Sequence, residues 1–120
     1  MVGLVDIRRP SARAMADKHQ LPPTVVFDTL DAAIAQTSPD LVFDVTIPGA
    51  HHDVTMTALK ADCHVLGEKP LSDNLTHARQ MVAAAANAGR VYAVMQNRRF
   101  DPHIRTVRKN LQQGAIGQVA

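Results

Sequence analysis

Short apolar runs alternate with stretches of helical spacing along the whole chain. Val2-Gly3-Leu4-Val5 reads as a buried strand that ends at Asp6. Pro10 and Ser11 then open a helix with Ala12, Met15 and Ala16 on one face. Val25–Phe27 is a second strand after the breakers Pro22 and Pro23, and 30–36 is a short helix carrying Leu30, Ala33 and Ile34. Ser38-Pro39-Asp40 introduces a third strand, Leu41–Val45; the turn at Pro48-Gly49 leads into a helix over 51–61 with Val54, Ala58 and Leu59 to one side. Cys63–Leu66 is a fourth strand. Asn74 is placed to cap a helix over Leu75–Ala88, whose expected inner face is Leu75, Ala78, Met81, Val82 and Ala85, with Gly89 as its C-cap. Val91–Val94 is a fifth strand, and Pro102 sits in the first turn of a last helix ending near Gln113.

Strands alternating with helices predict a parallel sheet covered on both faces, and strands that are apolar runs suit double cover. The expected class is α/β, a doubly wound parallel sheet of the Rossmann type. In such sheets a ligand lies at the carboxyl ends of the strands. That directs attention to four loops: Asp6 with Arg8 and Arg9, Thr46 to His52, Gly67 to Pro70, and Gln96 to Arg99.

Composition narrows the function classes. The chain has 120 residues, 46% hydrophobic and 20% charged, an ordinary globular balance and enough for one domain. Its net charge of +2 is spread over short basic pairs and its aromatics are only 3%, which argues against a nucleic-acid surface. Cys63, the one cysteine, sits in an apolar stretch and reads as a small buried hydrophobe. No run approaches the roughly 20 apolar residues of a membrane span. The first residues show no basic stretch followed by an apolar one, so a cytoplasmic location is expected.

Each loop has a candidate chemistry. Asp6 ends a strand, where a carboxylate can accept hydrogen bonds from the adenosine ribose of NAD and repel the 2′-phosphate of NADP; Arg8 and Arg9 pull the other way. The alternative is a helix-start aspartate with two solvated arginines. The turn from Thr46 presents backbone N–H groups and a helix N-terminus. Its neighbours His51 and His52 point about 100° apart on a helix, and neither has a ligand four residues on, so no metal is expected. One of these histidines is expected in solvent and the other beneath the turn. Glu68-Lys69-Pro70 follows a strand directly; a lysine there can orient a substrate hydroxyl or share its proton, or simply pair with Glu68 at the surface. The side-chain amides of Gln96 and Asn97 can meet a carboxamide such as that of nicotinamide, or form a polar loop before a capping Asp101.

Taken together, Gly67-Glu68-Lys69-Pro70-Leu71, Ile47-Pro48 followed by His52, and Asn97-Arg98-Arg99-Phe100-Asp101-Pro102 resemble the Gfo/Idh/MocA oxidoreductases, the glucose-fructose oxidoreductase and inositol dehydrogenase group. The resemblance covers essentially the whole chain. It implies hydride transfer between NAD or NADP, with NAD favoured, and a sugar, polyol or related hydroxy compound, in a homo-oligomer. It also implies Lys69 as the catalytic residue beside the nicotinamide, a cofactor lined by Ile47, Pro48, His52, Glu68, Gln96 and Asn97, and Asp6 with Arg8 at the adenosine ribose. Two positions depart from the family pattern: Ile47 stands where Thr or Ser is common, and Gly49 where Asn is common.

The G-x-G-x-x-G loop of that family is not among the 120 residues, and its strand would precede residue 1. Residues 1–113 are therefore expected to form a partial NAD(P)-binding domain, and 114–120 the start of a junction to a substrate domain. In the usual strand order the first strand is central. Its loss should leave Val2–Val5 and Leu41–Val45 with free edges. Two competitors remain: a catalytically inactive fragment or subunit-pairing module, and another parallel α/β protein such as a receiver domain. The spacing of Glu68–Pro70 and Asn97–Pro102 argues against the second.

Overall fold

The structure is a computed structural model, and it describes residues 1–117. Five short strands alternate with five helices: β1 (Leu4–Val5), α1 (Arg9–Lys18), β2 (Val26–Phe27), α2 (Leu30–Thr37), β3 (Leu41–Asp44), α3 (His51–Lys60), β4 (His64–Gly67), α4 (Leu75–Ala88), β5 (Tyr92–Val94) and α5 (Pro102–Gln112). Every strand pairing is parallel, including β3 with β4. This is the Rossmann-like α/β arrangement that the alternation predicts.

The sheet comes in two pieces. β1 pairs with β2, and β3, β4 and β5 form a second sheet in that order. Among the described residues the outer edges of β1 and β3 have no strand beside them. Val2 and Gly3 stay outside β1, and Val45 outside β3; a strand is defined by its ladder, and nothing pairs with these residues. The expected strand start after Gly114 runs beyond the described residues. Within them, Gly114–Gly117 is mostly turn.

Helix ends follow the sequence closely. The Asn74 side chain accepts a hydrogen bond from His77 N–H at 2.9 Å, and Thr29 caps α2 in the same way. Gly89 closes α4 at φ +63°, a left-handed conformation that favours glycine, and lets Arg90 N–H reach the Ala85 carbonyl at 3.0 Å. The Arg90 guanidinium then binds Asp62, tying the turn before β4 to the turn before β5 and holding the Asp62 carboxyl below its usual range.

The core lies on one face of the three-stranded sheet. Register places Val42, Val65 and Tyr92 side by side on that face, where they meet Ala58 and Leu59 of α3, Cys63, and Ala84 and Ala85 of α4. Met81 and Val65 are fully buried, each worth roughly 1.5–3 kcal/mol relative to exposure. A second small cluster joins Ala12 and Ala16 of α1 to Val25, Val26, Leu4 and Leu21.

Helices cover both faces of the β1–β2 pair, α1 packing on Leu4 and Val26 and α2 lying beside Gly3 and Phe27, but double cover does not extend to the three-stranded sheet. Side chains alternate along a strand, so Phe43, Leu66 and Ala93 fall on the opposite face, and Phe43 is 60% exposed. Among the described residues no helix packs there. On α4, Leu75 and Val82 are exposed and only Met81 and Ala85 are buried, because a single helix layer buries a narrower stripe. Met15 of α1 is likewise half-exposed. α5 is exposed at every residue. Its projection helps account for a radius of gyration of 18.1 Å, against about 14 Å for a compact domain of this length.

Candidate functional site

Parallel strands deliver their carboxyl ends to one edge. At that edge of the second sheet three loops are stitched together by backbone hydrogen bonds: Glu68 N–H donates to the Asp44 carbonyl, and Met95 N–H to the Gly67 carbonyl, both at 2.8 Å. Ile47 and Pro48, Glu68 and Lys69, and Gln96 and Asn97 are thereby brought to the ends of three neighbouring strands. Ile47, Pro48, Lys69, Gln96 and Asn97 are exposed, and Glu68 is partly so.

Pro48–Ala50 forms one 3-10 turn between β3 and α3, and Asn97–Phe100 another between β5 and α5. The Asp101 side chain caps α5 by accepting from His103 and Ile104 N–H. The Lys69–Pro70 bond is cis. The Glu68 carboxylate accepts the Lys69 backbone N–H at 2.7 Å. Among the described residues the Lys69 ammonium takes part in no ion pair. The surface Glu–Lys pair weighed from sequence is thus not formed.

Asp6 and Arg8 stand apart from these loops, after β1 in the two-stranded sheet. The Asp6 carboxylate accepts Arg8 N–H at 2.7 Å, with the Arg8 guanidinium 4.0 Å away and largely in solvent. Arg9 turns aside to pair with Asp28, beyond the end of β2. His52 lies between α3 and α4, its ring stacked on His77 with centroids 4.2 Å apart and its Nδ1 2.9 Å from Asp53.

Beneath the turn sits a polar cluster that the sequence reading did not assemble. Asp44 ends β3 and is 1% exposed, as is His51, the first residue of α3. His51 Nδ1 lies 2.9 Å from Asp44 Oδ2, while Asp44 Oδ1 accepts from Thr46 N–H at 3.1 Å and from the Thr46 hydroxyl at 2.6 Å. Tyr92 donates to the Leu71 carbonyl at 3.2 Å; burial pushes its phenol pKa up, and the nearby Thr55 hydroxyl pulls it part of the way back. The sequence signals for this cluster are a carboxylate inside the apolar run Leu41–Val45 and the pair His51-His52, one of which is expected beneath the turn; it is His51. No group of three or more metal-ligating side chains occurs among the described residues. None of their helices is long and apolar enough to cross a membrane.

The carboxyl edge thus brings together two side-chain amides, an ammonium that forms no ion pair among the described residues, and a strand-to-helix turn.

Comparison with known proteins identifies the family. Residues 1–96 match the sequence profile of the Gfo/Idh/MocA oxidoreductase family, NAD-binding Rossmann fold. D-glucoside 3-dehydrogenase of Escherichia coli is 30% identical over 99% of the chain, which corresponds to 33% of that enzyme. The NADP(+)-dependent scyllo-inositol 2-dehydrogenase of Bacillus subtilis is 27% identical over 91% of the chain and 30% of its own length. Among solved structures, GenD2 from gentamicin A biosynthesis, in complex with NAD, superposes on 96% of the chain and 32% of its own with a TM-score of 0.84 at 27% identity. The chain thus spans about a third of the length of these relatives. With a profile covering residues 1–96, parallel Rossmann-like topology and relatives of this kind, the chain belongs to the Gfo/Idh/MocA oxidoreductase family, as part of its NAD-binding Rossmann domain.

Proposed function

We propose that this chain supplies the nicotinamide-side surface of a dehydrogenase acting on a sugar, polyol or related hydroxy compound. The observation that carries this reading is the Lys69 ammonium, which forms no ion pair among the described residues and sits at the carboxyl end of the central strand of β3–β4–β5. When bound, the nicotinamide supplies the hydride acceptor or donor. Lys69 hydrogen-bonds the reacting hydroxyl and shares its proton. Ile47 and Pro48 would give the nicotinamide an apolar wall and Gln96 and Asn97 would hold its carboxamide, while Glu68 fixes the backbone of Lys69. His52, whose ring stacks on His77 of α4, would line the cofactor from the first turn of α3. Asp6 favours NAD at the ribose, with Arg8 beside it. The cytoplasm is the proposed location.

Two measurements test this. Titrating the ¹⁵N-labelled chain with NADH should perturb the amides of 46, 47, 49, 50, 67–69 and 96–97; changes confined to other regions would refute the assignment. In the whole dehydrogenase, Lys69→Ala should lower kcat by about 10²-fold or more, with cofactor binding little changed. Undiminished turnover would return Lys69 to an ordinary surface residue.

A second reading, pairing with another copy of the chain, is favoured by the free edges of β1 and β3 and by exposed Phe43. A sedimentation profile that stays monomeric up to high concentration would remove it.

A further inference from the structure

We propose that Asp44 and His51 act as positioning residues: a buried carboxylate–imidazole clasp that fixes the 46–50 turn and the Glu68–Lys69 loop relative to each other. The proposal rests on the reading above only for what those loops would touch.

Burying a carboxylate and an imidazole is expensive, and apolar residues of similar volume usually stabilise a fold at least as well. Both groups are nonetheless 1% exposed, at the point where two loops meet. Asp44 holds three things at once. Its Oδ1 takes both donors of Thr46 and closes the start of the turn; its Oδ2 reaches across the turn to the first residue of α3; its backbone carbonyl receives Glu68 N–H. The turn closes internally as well, with Ala50 N–H on the Ile47 carbonyl at 2.9 Å. Displacing Asp44 would free the flanks of Ile47 and Pro48 together with the backbone that presents Lys69.

The clasp also fixes a tautomer. A carboxylate only accepts, so His51 Nδ1 must carry the proton. His51 Nε2 is buried with no hydrogen-bond partner among the described residues, a tolerable place for a lone pair and a costly one for an N–H.

The experiment uses the ¹⁵N-labelled chain. Long-range ¹H–¹⁵N spectra of His51 should show the Nδ1–H tautomer; an Nε2–H tautomer would overturn the clasp even if no variant folds. In amide exchange, His51→Gln should speed exchange at 45–50 and 67–69 by about tenfold, the equivalent of about 1.4 kcal/mol, while Val65 and Met81 stay protected. His51→Asn places an amide nitrogen as many bonds from the backbone as Nδ1 and should restore protection. Uniform acceleration throughout, or equal effects of Asn and Gln, would show a merely structural role and overturn the proposal. NADH titration separates the two readings. A wild-type chain that NADH does not perturb would refute the cofactor reading, while tautomer and exchange would still decide the clasp.

Discussion

Removing the Asp44 side chain tests how much of this fold rests on one buried pair. In Asp44→Ala three hydrogen bonds disappear. Two of them are cheap to lose, because Thr46 lies near the surface and water can meet its donors. The third is not, because it leaves a buried His51 N–H. An orphaned buried donor costs about 1–3 kcal/mol, and breaking a buried charged pair has cost about 3–5 kcal/mol elsewhere. One local feature softens the loss: the Thr46 oxygen, released from Asp44, lies 3.4 Å from His51 Nδ1 and can accept. The expected cost is therefore about 2–4 kcal/mol. With a urea slope near 2 kcal/mol/M, the midpoint should fall by about 1–2 M. The double variant Asp44→Ala/His51→Leu removes both partners. Replacing both members of a pair by apolar groups can be nearly neutral, so the double variant should be less destabilised than the sum of the singles by at least about 1 kcal/mol. Urea unfolding followed by circular dichroism gives all four values. A single-variant loss below about 0.5 kcal/mol, the scale of ordinary surface substitutions, or simple additivity, would refute a coupled buried pair.

Asp6→Ser should shift preference toward NADP in the whole dehydrogenase, since it removes the charge that opposes a 2′-phosphate and releases the Arg8 backbone N–H; steady-state kinetics with both cofactors, if unchanged, would take Asp6 out of the ribose site. Burial raises the pKa of both the Cys63 thiol and the Tyr92 phenol in the folded chain. Folding therefore favours their neutral forms, and that contribution is complete below the unfolded values of about 8.5 and 10 and is lost as pH rises through the folded ones. Urea midpoints between pH 8 and 11 should fall less steeply for Cys63→Ala and Tyr92→Phe than for the wild-type chain, and parallel curves would contradict the assignment.

What could be read from the sequence was whatever depends on neighbours along the chain. Asn74, Gly89 and Asp101 act within four residues of their own helix ends, and each caps as its position implies. The motif Glu68-Lys69 could be placed because a strand followed directly by a loop lands at the sheet's carboxyl edge whatever lies beside it. The misjudged features all depend on a second layer. Whether Phe43, Leu75 or Val82 is covered is set by what packs against the bare faces, and periodicity reports only which residues share a face. Asp44 escaped for a related reason. Within Leu41–Val45 it looks like a strand's polar end, and seven residues later the sequence leaves open which of His51 and His52 lies beneath the turn. Only the closure of the intervening turn converts two ordinary polar residues into one buried pair. Those same contacts hold the loops at the carboxyl edge in register. The chemistry assigned to Lys69 therefore depends on residues that carry no recognisable motif.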